Sequence, residues 1–438
     1  MNMKNENTTS KGENTMKNTL VIDNFLIFDH AEIDINKFTV FIGPQASGKS
    51  IAAKLLYLFY LLPSATLTSA QNNNRKRYLC NGMVKVFSAV FPKHSWINQT
   101  FNITLQTNFG ELSFSHEAGK MLTFKISSHY DKILTGIFYR TNRLKKDEDV
   151  FWEFGYYHEL ENYVDKQDWG FVCKSKDILF TPAGRSFFAT IEQNVFHFLY
   201  GAENLTTIDY FLKKFGMQYT QYKNSGFEYN RNEDSSFEKL SLKLLHGHFF
   251  RKNKKDYISR QLAGGNSVAL DIRDCSSGQQ ELLPLLILAT NTSYSYLIIE
   301  EPEAHIYPEA QAELMRYLVS CQYRNKSVAF LFTTHSPYVL TTLNNLAYAG
   351  VLDAKLQQKK DTESIKKLNK IYSLQERIPV KSLSAYYFNN GKVTDIIDTE
   401  TGLINAEDLD KISDITSEKF SELIDLKLQY DNDAEEEL

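Results

Sequence analysis

One stretch limits what this chain can fold into: residues 38–60, FTVFIGPQASGKSIAAKLLYLFY. A short apolar run suited to a buried strand breaks into a glycine-rich turn and then into a long apolar helix. The turn meets the pattern G-x-x-x-x-G-K-[ST] with Gly43, Gly48, Lys49 and Ser50. Each position has a physical cause. The glycines permit left-handed or crowded backbone angles, so successive N–H groups along Gly43, Pro44, Gln45, Ala46, Ser47 and Gly48, proline excepted, can turn inward around a phosphate. Lys49 adds a mobile positive charge for the outer phosphates, and the Ser50 hydroxyl is a hard oxygen ligand suited to Mg2+. The helix from Ser50 onward aims its positive N-terminus at the anion, and Pro63 is expected to end it. An ordinary αβ turn with a capping serine and a surface lysine would not ask for glycine, lysine and serine together.

Bulk composition sets the class. The chain has 438 residues, enough for two or three packed units, with 42% hydrophobic and 23% charged residues. Its formal net charge of −4 lacks the basic excess of a protein that lives on nucleic acid, so any DNA contact has to come from a local patch. Cys80, Cys173, Cys275 and Cys321 are scattered without a C-x-x-C pair, which argues for a reducing compartment and against zinc or a disulfide framework. No apolar run approaches a membrane span and no signal-peptide core is visible, so a cytoplasmic location without membrane contact is expected.

Residues 1–18 are polar and are expected to be a disordered tail. From Thr19, apolar residues at strand spacing around Asp23-Asn24 and Asn36-Lys37 predict two or three strands feeding the loop at Gly43. Gln71 to Arg77 reads as a polar loop, residues 101–127 alternate as an antiparallel meander, and residues 131–178 show no clear organisation. Helices are expected over Phe180–Tyr200, Ile208–Gly216 and Ser235–Leu245. Beyond residue 266 come a strand VALDIR, the turn Asp274 to Glu281, the apolar strands ending at Glu300-Glu301 and at Thr333-Thr334-His335, and a hairpin turning at Asn389-Asn390-Gly391. The last residues, 426–438, form an acidic tail.

Strands that end in polar residues mark an α/β sheet with its site at the carboxyl edge. Three do so here, after Ile42, Ile299 and Phe332. Where a phosphate loop lies upstream, the first carboxylate after such a strand (Glu300) suits the metal shell, and the next (Glu301) can polarise an attacking water. Adjacent strand residues point to opposite faces, which separates those two jobs. His335 would place an imidazole near the outer phosphate as a sensor, although a histidine before Ser336-Pro337 is also an ordinary turn residue. Ser276, Ser277, Gly278 and Gln279 open a helix with hydroxyls and free N–H groups, which would serve an anion or a plain cap equally well. Arg185 could face a phosphate or be an exposed first-turn residue. The basic clusters at 75–77, 140–146 and 251–255 fit solvated loops better than a nucleic-acid surface.

The order of the phosphate loop, Ser-Ser-Gly-Gln-Gln-Glu, Leu-Ile-Ile-Glu-Glu-Pro-Glu-Ala-His and Thr-Thr-His-Ser-Pro resembles the ABC-type ATPase heads of the RecF, SMC and OLD group, especially short stand-alone bacterial members. The resemblance covers residues 19–62 and 266–345 and implies an α/β P-loop NTPase of ABC-head type. Its core would comprise 19–62 and 266–425, with a mixed α+β insertion over 63–265. It further implies ATP and Mg2+ as cofactors, Gly43 to Ser50 as the ATP-binding loop, and Ser50 and Glu300 as the metal side. Glu301 would be the catalytic carboxylate, His335 the switch histidine, and Ser276 to Gln279 the signature, which acts in trans. Three departures stand out: Ser277 replaces a usual glycine, Glu300 replaces a commoner aspartate, and the sequence does not identify which glutamine serves the Mg2+-sensing loop.

With one loop and one signature in a single chain, the resemblance implies a homodimer or higher homo-oligomer that hydrolyses ATP across its interface. The expected role is a switch controlling a separate effector in DNA maintenance or antiviral defence, with possible DNA contact. The rivals are a nucleotide-gated scaffold with little turnover and a nuclease in its own right. The chain is short of the acidic domain that nucleases of the OLD type carry.

Overall fold

The computed structural model of the protein describes residues 18–72, 76–144, 153–173, 177–186, 209–224, 236–253, 255–262, 264–290, 294–405, 421, 423 and 424. Fourteen strands lie within them: β1 (Asn18–Phe25), β2 (Phe28–Ile35), β3 (Phe38–Ile42), β4 (Phe101–Thr107), β5 (Gly110–His116), β6 (Thr123–Ile126), β7 (Ile178–Thr181), β8 (His248–Lys252), β9 (Lys255–Gln261), β10 (Ser267–Asp271), β11 (Tyr296–Glu300), β12 (Ala329–Thr334), β13 (Leu383–Asn389) and β14 (Lys392–Asp395). They form three sheets, in the orders β2-β1-β4-β5-β6, β10-β9-β8 and β14-β13-β3-β12-β11-β7.

The six-stranded sheet is the frame of the site. β3, β11 and β12 are buried at every position, as their unbroken apolar composition requires of strands covered on both faces. Their alternation sends side chains into two separate cores. Phe41, Ile298 and Leu331 pack on one side with the helix Lys49–Tyr60 and the five-stranded sheet. Val40, Ile42, Ile299 and Phe332 pack on the other with the helices Ser277–Ala289, Pro308–Arg324 and Pro337–Lys359. The helix after the phosphate loop is therefore enclosed between two sheets, which explains why nearly all its residues are apolar.

Several expectations change. The helix after the loop does end just before Pro63, at Tyr60, but the chain turns at once into another helix, Leu62–Gln71, with Pro63 in its first turn, where its missing N–H costs nothing. The meander is not part of a separate insertion, because β4 pairs with β1 (Ile22 opposite Ile103) and so completes the sheet begun by the opening strands. β7, also placed in the insertion, is the edge strand of the six-stranded sheet. Asn18 belongs to β1, not to a tail: its buried amide donates to the Gly170 carbonyl at 2.7 Å and accepts from Tyr60 Oη at 2.7 Å. The 71–77 loop gives way to a helix from Lys76 to Val90, and the unorganised region holds helices at Ser128–Leu144 and Glu153–Asp165. The later helices run Tyr210–Asn224 and Ser236–Leu244. Residues 1–17, 187–200 and 426–438, the bulk of the tails and of the 180–200 helix, lie outside the described residues. Among the described residues, no single helix is long and apolar enough to cross a membrane.

Candidate active site

Register builds the site. In the parallel sheet Ile42 lies opposite Thr334, Thr333 opposite Glu300, and Ile299 opposite Thr181. The carboxyl ends of β3, β12, β11 and β7 therefore lie side by side, and each hands over to a polar segment: the Gly43 loop, His335, Glu301 and Pro182.

The loop from Gly43 to Ser50 has the backbone the sequence asks for, with φ of +145° at Gly43, +59° at Ala46 and +107° at Gly48. Lys49 is buried, and its Nζ donates to the carbonyls of Gly43 at 2.7 Å and Pro44 at 2.6 Å. Burial pulls its pKa below the ordinary lysine value, while the nearby carboxylates Glu301 and Glu303 oppose that shift. The amine thus rests on the loop's own carbonyls.

Glu300 points into the core side of this edge. Burial raises its pKa, against the opposing effects of a hydrogen bond from Ser50 and the charge of Lys54. Its Oε2 accepts weakly from the Ala183 N–H at 3.4 Å, and its Oε1 is buried without a hydrogen-bond partner. A desolvated, half-satisfied carboxylate beside a serine hydroxyl fits a divalent cation. Among the described residues no group of three or more His, Cys, Asp or Glu side chains could hold a metal ion.

Glu301 faces the other way and is about one-third exposed, with its Oε1 3.4 Å from His335 Nε2. Its backbone is left-handed, with φ of +45°, a conformation costing of order 1–3 kcal/mol for a non-glycine residue and kept only where neighbours enforce it. His335 is held from behind: the Glu303 Oε1 accepts from the His335 N–H at 2.9 Å and from Thr334 Oγ1 at 2.7 Å. Glu303 Oε2 and His335 Nδ1 are buried and without partners.

The Ser276–Gln279 turn is made differently. Ser276 caps the helix Ser277–Ala289 in a capping box with Gln279, whose amide also donates to the Leu245 carbonyl at 2.6 Å. At Gly278 a Cβ would lie 2.6 Å from the His305 carbonyl, so glycine is required there by packing within the chain. Ser276 and Ser277 are exposed. The structure thus gathers Gly43 to Ser50, Glu300, Glu301 and His335 at one sheet edge and leaves the serines of the turn facing outward.

Arg185 matches neither expectation. It has no exposed surface and forms a buried ion pair with Glu281, Nε to Oε2 at 3.2 Å. The one visible signal was Glu281 itself, a lone carboxylate directly ahead of the apolar run LLPLLILA in the same helix, and so in need of a buried cation. Of the basic clusters, Lys76 pairs with Asp131, Arg140 with Glu159, and Arg251 with the fully buried Asp256 at 2.6 Å.

Residues 178–341 match the family model AAA_21, described as "AAA domain, putative AbiEii toxin, Type IV TA system". No curated protein matches the chain. Among solved structures, an SMC head bound to the C-winged helix domain of ScpA is 10% identical, covering 86% of this chain and 97% of that one at a TM-score of 0.37. The SMC head domain from Thermotoga maritima is 13% identical (87% and 98% covered, TM-score 0.36). An SMC head with an extended coiled coil, bound to the C-terminal domain of ScpA derived from Pyrococcus furiosus, is 12% identical (91% and 99% covered, TM-score 0.36). Likenesses of this size add nothing on function. The matched model spans β7, the Ser276 turn, β11 and His335, and with the phosphate loop upstream it supports an ATPase of the P-loop type.

Proposed function

We propose that the protein binds ATP with Mg2+ at Gly43–Ser50 and hydrolyses it in a two-fold symmetric pair of copies. Glu301 polarises the attacking water, His335 senses the outer phosphate, and Ser276, Ser277 and Gly278 of one copy close the site of the other. The observation that carries this is the strand register, which lines up the loop, Glu301 and His335 on adjacent carboxyl ends. Ser50 and Glu300 would hold the cation, which when bound supplies charge neutralisation between the phosphates. Lys49 supplies a second positive charge to the same oxygens. Glu301 accepts a proton from water on the exposed side of the strand end, and Glu303 fixes the backbone that presents His335. Gln279 acts as a cap, since its amide is committed to Leu245 and Ser276.

The larger role we infer is a switch that controls a separate effector in DNA maintenance or phage defence. The toxin–antitoxin description of the matched model supports that setting. Isothermal titration tests the core of the reading: the wild-type chain takes up ATP·Mg2+, and Lys49→Ala loses about a hundredfold in affinity, equivalent to ~2.8 kcal/mol. An unchanged affinity in the variant would remove the phosphate loop as the site.

A further inference from the structure

All three nitrogens of the Arg185 guanidinium donate to protein acceptors, and those belong to two different motifs. Nη1 donates to the Pro182 carbonyl at 3.2 Å and the Glu300 carbonyl at 2.8 Å, and Nη2 donates to the Glu301 carbonyl at 3.2 Å. Nε donates to the Glu281 carbonyl at 3.3 Å and is 3.2 Å from its Oε2. The Glu281 carboxylate in turn accepts the backbone N–H groups of Arg185 at 2.9 Å and Ser186 at 3.0 Å. Glu281 rides in the second turn of the helix whose cap is Ser276. One planar side chain therefore ties the Ser276 helix to the backbone of both carboxylates at the end of β11.

That backbone is the strained one. Three contacts fix Glu301 in its left-handed conformation: its N–H donates to the Thr333 carbonyl at 2.8 Å, and its own carbonyl accepts from Ala304 N at 3.0 Å and from Arg185 Nη2. Of these, only Arg185 also grips the helix led by Ser276. A rigid helix moved at its first turn carries Glu281 with it, and the Arg185 fork has to follow. Lysine cannot replace it, because a single ammonium cannot hold two successive carbonyls and a carboxylate in one plane.

We propose that Arg185 is a positioning residue that relays engagement of the Ser276 turn by a second copy's nucleotide, through Glu281, to the Glu301 of its own chain. The base of each copy is then set by the state of its own signature as well as by its own loop. This rests on the ATPase reading above.

The test compares the wild type with Arg185→Lys and with the paired variant Arg185→Met/Glu281→Leu, which removes both charges together and strands neither. ATP affinity, thermal unfolding and steady-state hydrolysis are measured on each. Expected is a variant that melts close to the wild type, with affinity and KM within about twofold and kcat lower by at least about tenfold. Hydrogen exchange with a slowly hydrolysed ATP analogue gives a second readout. In Arg185→Lys the protection gained over residues 277–289 is kept, whereas that gained over 300–305 is lost. A kcat within about twofold of the wild type in either folded variant, or protection of the two segments that is lost or kept together, overturns the relay. The two readings fail separately: a wild type that does not turn over ATP removes both, whereas turnover abolished by Glu301→Gln but kept in both Arg185 variants removes the relay alone.

Discussion

At Gly48 the phosphate loop has no room for any side chain. A Cβ there would lie 2.5 Å from Phe28 Cζ, and at Gly43 it would lie 2.1 Å from the Phe388 carbonyl. Both glycines thus answer to neighbours from other strands as well as to a phosphate. Glu300 shows the opposite economy, a charge kept where burial opposes it. Its folded pKa is raised, chiefly by desolvation, so above the unfolded carboxyl value of ~4.3 the native state holds more protons than the unfolded one and stability falls as pH rises. Glu300→Gln is therefore expected to raise the Tm of the ligand-free protein at pH 7, with the gain shrinking as the pH is lowered toward that value. Thermal melts across that range check this. In the same variant Mg2+-dependent ATP affinity falls by at least about tenfold. A variant that melts below the wild type at pH 7 would show that Ser50 and Lys54 outweigh burial.

Among the elements, the helix Tyr210–Asn224 carries a comparable cost. Lys214, within it, lies over the Tyr57 ring at 5.1 Å, and burial lowers its pKa to about 8, against the pull of Asp177. The unfolded chain binds that proton more tightly, so the penalty is full at pH 7 and fades as pH rises from about 8 towards the unfolded value of ~10.4. Lys214→Met is expected to stabilise the protein at pH 7, by on the order of 3 kcal/mol at most, and by much less at pH 10. Urea melts at the two pH values measure it. Neither this lysine nor the Arg185–Glu281 pair could be placed from the sequence, because burial comes from partners far along the chain. What was legible is local: β3, β11 and β12 declare themselves as apolar runs that end in polar residues, and the turn at Asn390-Gly391, with φ of +47° and +77°, as a hairpin. The helix Lys76–Val90 was hidden because its entry, QNNNRKR, has loop composition and its apolar stripe starts only at Leu79. The meander's alternation identified strands, but alternation alone does not say that β4 would join β1 instead of closing a sheet of its own.

For the whole molecule, the decisive question is whether one copy is a complete machine. Each chain has one phosphate loop and one Ser276 turn, and Ser276 and Ser277 face outward. Two large aromatics that follow β11 and β12 closely in sequence are also left in the open. Tyr307, just after His305, is 78% exposed, and Tyr338, just after His335 and Ser336-Pro337, is 53% exposed. Exposed tyrosines this close in sequence to Glu301 and His335 fit a self-complementary interface better than a surface meant for water. Because such an interface is isologous, each tyrosine counts twice. Glu301→Gln, which should hold ATP without consuming it, is expected to sediment as a monomer alone and as a dimer with saturating ATP and Mg2+. Adding Tyr307→Ala should weaken that dimer by about tenfold or more while ATP binding to the single chain stays unchanged. A Glu301→Gln chain that remains monomeric with nucleotide at micromolar concentration would rule out the shared site, and the Ser276 turn would then be only the capped helix start that its hydrogen bonds already describe.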